Sequence, residues 1–119
     1  MQPNLGRSKI AAGKISKQEA VLDWSMPAVE LERKIRAFYP APMAQAEFRQ
    51  TTFRIQEAKV LDHPVNEQPG NIITYSDEGI DVATGAGTLR LLKIQPAGKR
   101  MMTAREFLNG RPGFFSRSE

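Results

Sequence analysis

Two adjacent cations behind a glycine, Gly98-Lys99-Arg100, are the residues best suited to chemistry in this 119-residue chain. The chemistry they suit is the holding of anions. The run Thr103-Ala104-Arg105-Glu106 follows in capping-box spacing and opens a helix, and helix N-termini attract anions. Lys93 lies upstream, and Arg105 and Arg111 lie downstream. At the other end stand Lys14 and Lys17. The net charge is +4, unevenly spread. Residues 1–20 hold four basic side chains against one acidic, and residues 90–119 hold seven against two. Residues 21–89 hold ten acidic against six basic. Two basic ends flanking an acidic centre point to a polyanionic partner, because clustered Lys and Arg displace counterions from phosphates. A solvated surface that keeps the domain soluble is the other reading, and charge alone leaves both open.

Other chemistries find less support. The single histidine, His63, sits between Asp62 and Pro64 in a predicted loop, without a motif to orient it as a base. There is no cysteine, which removes thiolate ligands, disulfides and thiol nucleophiles. No serine, threonine or lysine stands in a recognisable nucleophile elbow. Gly85-Ala86-Gly87 lacks the further Gly and the Lys-Ser/Thr of a phosphate loop and reads as a tight connection. Asp77, Glu78 and Asp81 lack calcium-loop spacing and read as a solvated turn. Trp24 is the only tryptophan, and its place before a helix suits packing the helix start onto a sheet. Phe48 and Tyr75 could stack bases if exposed.

The elements that must position these residues are legible in outline. Residues 1–20 read as a basic linker, 21–112 as one domain and 113–119 as a tail. Ser25 is the expected N-cap of a helix whose apolar stripe is Ala28, Leu31, Ile35 and Phe38. Glu30–Lys34 and Glu32–Arg36 are its expected i,i+4 pairs, and Pro40 and Pro42 end it. Strands are expected near 45–48, 53–61, 71–75, 79–83 and 88–95, with a hairpin through Asp77-Glu78-Gly79. The result is an α+β, mainly β chain. It reads as a small five-stranded OB-like barrel, preceded by an amphipathic helix and closed by a short C-terminal helix.

Several separated blocks appear together and in order. They are Ile15-Ser16-Lys17 leading to Asp23-Trp24-Ser25, Leu31-Glu32-Arg33 with Ile35 to Phe38, Val82-Ala83-Thr84-Gly85, Leu91 through Lys99, and Ala104 through Gly110. Over residues 10–112 these resemble the C-terminal domain of the methionyl-tRNA formyltransferases. The chain departs from that pattern at Tyr39-Pro40-Ala41-Pro42, where the family often reads Asn-Pro-Trp-Pro, and in its final residues.

The resemblance implies a piece of an enzyme without its chemistry. The catalytic, Rossmann-like domain would lie in cis on the N-terminal side, and this piece alone would be inactive. 10-Formyltetrahydrofolate would be the substrate of the whole enzyme, with no cofactor bound by this domain. Initiator Met-tRNA would be the partner, touched through phosphates by Lys14, Lys17, Lys93, Lys99, Arg100 and Arg105. The setting would be cytoplasmic, monomeric and free of membrane. The alternative is the structural barrel of another folate-dependent formyltransferase with no tRNA role.

Overall fold

The computed structural model describes residues 20–63 and 65–115. Helix α1 (Ala28–Phe38) comes first, followed by β1 (Ala44–Phe48), β2 (Thr51–Leu61), β3 (Ile72–Ser76), β4 (Gly79–Ala83), β5 (Thr88–Pro96), β6 (Met102–Thr103) and α2 (Ala104–Gly110). The strands form one antiparallel sheet in the order β1-β2-β5-β4-β3, with the short β6 added to β5. The chain is therefore α+β and mainly β, as its periodicity predicts. The five expected strands are all present, and β6 is an addition.

The barrel is not closed. No ladder joins β1 to β3 among the described residues. Both edge strands are five residues long, and side chains fill the seam instead. The Phe115 ring lies 5.9 Å from Phe48 on β1 and 5.8 Å from Tyr75 on β3. A groove of about 400 Å³ runs along this seam, lined by Glu47, Phe48, Arg49, Gly70, Asn71, Ile72 and Phe115. Phe114 and Phe115, assigned to a tail by sequence, thus join Phe53 and Phe107 in one aromatic cluster.

The apolar stripe of α1 packs onto the sheet as expected. Ala28, Leu31 and Ile35 are buried, and Phe38 is partly so. The start of the helix differs from expectation. Pro27 is the N-cap, and Ser25 lies outside the helix. The Ser25 backbone N–H and hydroxyl both donate to Asp23 Oδ1, at 3.1 and 2.7 Å, forming a local turn before the helix. Those two bonds, the hydroxyl's first, hold the Asp23 carboxyl below its usual range. Glu32–Arg36 forms at 2.8 Å, but Glu30 meets Arg33 rather than Lys34. Lys34 instead donates to the Val21 carbonyl and lies over the Phe38 ring.

The glycine loop 84–87 carries a role beyond linking β4 to β5. Its Gly85 N–H donates to the Trp24 and Met26 carbonyls, and its Ala86 carbonyl accepts from Ala28 N–H. A Cβ at Gly85 would collide with the Ser25 carbonyl oxygen, so only glycine lets the loop reach the helix start. Trp24 packs at the same place, with its ring 5.9 Å from Phe48 and against Gly70.

Candidate nucleic-acid interface

The turn after β5 presents the Gly98-Lys99-Arg100 cations because it is pinned on both sides. Lys99 N–H donates to the Pro96 carbonyl, Gln95 Nε2 donates to the Lys99 carbonyl, and Ala97 N–H donates to Thr52 on β2. Gly98 adopts φ 77°, a left-handed conformation that favours glycine. Residues 97–100 are all exposed. Directly beyond, Thr103 caps α2 with both reciprocal capping-box bonds, to and from Glu106, at 3.1 and 2.9 Å. The bond from the Thr103 backbone, and then nearby Arg100, hold the Glu106 carboxyl below its usual range.

The structure brings some of the expected cations together and separates others. Lys99 and Arg100 share the turn and line a groove of about 300 Å³ beside α2, with Pro96, Met102 and Phe107 as its apolar part. Arg111, which sequence places near the turn, lines the same groove and stacks its guanidinium over Phe114 at 5.0 Å. Arg105 instead faces Asp77 at 3.9 Å, by the β3–β4 turn. Lys93 faces Glu57 across the β2–β5 ladder at 3.6 Å. Arg100 itself approaches Glu106 at 3.7 Å. All these pairs are exposed, so each carboxylate offsets its cation only weakly in water. Lys99 makes no ion pair among the described residues. Lys14 and Lys17 lie outside the described residues.

One basic residue was missed. Arg54 is exposed on β2, and it makes no ion pair among the described residues. The alternation Phe53-Arg54-Ile55, with both neighbours buried, could have found it. Phe48 is buried and Tyr75 half-buried, so the aromatic pair considered for base stacking serves the core instead.

The acids read as a solvated turn divide in the structure. Asp81 is 4% exposed and receives two bonds from Arg90, at 2.7 and 3.1 Å. Glu78 adds a third contact to Arg90 at 3.2 Å. The bonds to Asp81 hold the Arg90 guanidinium more firmly in its charged form. Gly79, at φ 150°, leaves the space that the Arg90 side chain fills. This cluster is saturated and structural. No group of three or more His, Cys, Asp or Glu able to hold a metal occurs among the described residues. No helix among them is long and apolar enough to cross a membrane.

Residues 14–112 match the family described as formyl transferase, C-terminal domain. A methionyl-tRNA formyltransferase from Nitrosococcus oceani is 53% identical over 98 residues, which are 82% of this chain and 30% of that protein. The chain therefore spans about a third of its relative. Among solved structures, HypX from Aquifex aeolicus in complex with tetrahydrofolic acid superposes with a TM-score of 0.70 at 15% identity, over 97% of this chain and 19% of that one. A multiply substituted form of the same HypX gives 0.67 at 16%, over 92% and 18%. At such identities the likeness is one of fold.

Proposed function

We propose a function from one premise: this chain belongs to the formyl transferase C-terminal domain family. It acts as the non-catalytic C-terminal domain of a methionyl-tRNA formyltransferase. A Rossmann-like domain in cis transfers the formyl group from 10-formyltetrahydrofolate to the methionine of initiator Met-tRNA, in the cytoplasm. This domain helps hold the tRNA through phosphate contacts, which orient the substrate without reading its bases. The 53% identity to the Nitrosococcus oceani enzyme is the observation that carries the reading. The exposed Lys99–Arg100 turn, with Arg111 beside it, supports the phosphate role. Lys14 and Lys17 would extend that cationic surface from the N-terminal side.

A second reading, a scaffold without tRNA contact, draws on the carboxylates beside Lys93, Arg100 and Arg105. Gel-shift titration of the whole chain with deacylated initiator tRNA at low salt separates the two. A shift that weakens in the Lys99→Ala/Arg100→Ala double variant supports tRNA holding. No shift at any protein concentration supports the scaffold.

A further inference from the structure

We propose that the outer face of β1, β2 and β5 carries a second phosphate-holding site, centred on Arg54. The inference rests on the tRNA-holding role and extends it to a face of the sheet that sequence left unmarked. Ladder register aligns Gln45, Arg54 and Gln95 in one row across three strands. Their neighbours Ala44, Ala46, Phe53, Ile55 and Ile94 are buried, so the row faces outward. A groove of about 340 Å³ lies over it, walled by Thr52 and by Pro96–Gly98. The guanidinium offers a planar fork of donors suited to phosphate oxygens. The two carboxamides add neutral donors and acceptors suited to sugar hydroxyls. Gln95 is already oriented, because its Nε2 donates to the Lys99 carbonyl.

The carboxamides suited to sugar hydroxyls favour a polynucleotide over an acidic peptide, and two further features fit an extended polyanion. The groove ends at Gly98, one residue before Lys99 and Arg100, and shares Pro96 with the groove those cations line, so both sites adjoin the same turn. The Cβ position of Gly98 has no atom within 4 Å, which leaves room for a backbone to approach. Two acids among the described residues share this face: Glu47, one diagonal step from Arg54 by register, forms no ion pair with it, and Glu57 on the same strand is engaged by Lys93 at 3.6 Å.

The test uses the whole chain and deacylated tRNA, followed by fluorescence anisotropy across a salt series. Arg54→Gln should lower the log–log salt slope by about 0.7–0.9 and weaken binding about tenfold at low salt. Arg54→Lys should keep the slope and lose part of the affinity, because it retains the charge but not the fork. Arg33→Gln, on exposed α1, should leave the slope unchanged. If wild type shows no salt-dependent RNA binding, both the tRNA-holding role and this site fall. If wild type binds and Arg54→Gln keeps the full slope, this site alone falls. It also falls if Arg33→Gln loses as much as Arg54→Gln, or if inorganic phosphate or polyglutamate competes as well as RNA at equal charge.

Discussion

Asp81 on β4 holds Arg90 on β5 through two bonds across their ladder, and the two cannot be separated without leaving one charge poorly solvated. Asp81→Ala should cost about 2–3 kcal/mol in urea unfolding, less than a wholly buried pair because Arg90 reaches the surface and keeps Glu78. Asp81→Asn should cost less than Asp81→Ala, since the amide oxygen still accepts a bond. Thr88 gives the opposite case. Its hydroxyl is buried and has no hydrogen-bond partner among the described residues. Thr88→Val should be neutral or stabilising by up to about 1 kcal/mol in the same measurement, because it removes an orphaned polar atom and keeps the shape. Neither effect could be read from sequence. Asp81 follows an Asp-Glu-Gly turn and looks solvated until the register places it opposite Arg90.

At the scale of elements, local signals that act over a few residues were legible. The capping box at Thr103, the stripe of α1, the Asp77-Glu78-Gly79 hairpin and the five main strands all follow from short-range chemistry. Contacts between distant segments were not. Pro27 took the cap because Asp23 engages Ser25 and loop 84–87 supplies the acceptor for Ala28 N–H. The final phenylalanines look like a tail until the open seam between β1 and β3 is seen to need filling. Phe115→Ala should therefore cost about 3 kcal/mol, near the lower end for a buried phenylalanine, and be visible as a lower urea midpoint. The Glu106 carboxyl has its proton affinity depressed in the folded state. As pH falls, the unfolded chain takes up that proton first, so the stabilisation is complete above the usual glutamate range and fades as pH drops through it. Glu106→Gln should flatten the stability profile between about pH 5 and pH 3 relative to wild type.

Over the whole molecule, charge is arranged by the fold more than by the chain order. Sequence put six cations in one surface. The structure groups Lys99 and Arg100 and adds Arg111 and Arg54 on either side of the same turn; it sets Arg105 against Asp77 by the β3–β4 turn and Lys93 against Glu57 on the sheet face that carries Arg54. Linear spacing could find the turn, because its residues are adjacent. It could not find Arg54, which reaches the turn only through the β2–β5 ladder. The central claim is that this domain grips RNA by phosphate contacts made around residues 96–100. The salt dependence of deacylated initiator tRNA binding to the 119-residue chain tests it most directly. A log–log slope of about −2 or steeper, made shallower by about 1.4–1.8 in Lys99→Ala/Arg100→Ala, is the predicted result. A slope near zero, or one that the double variant leaves unchanged, would contradict it.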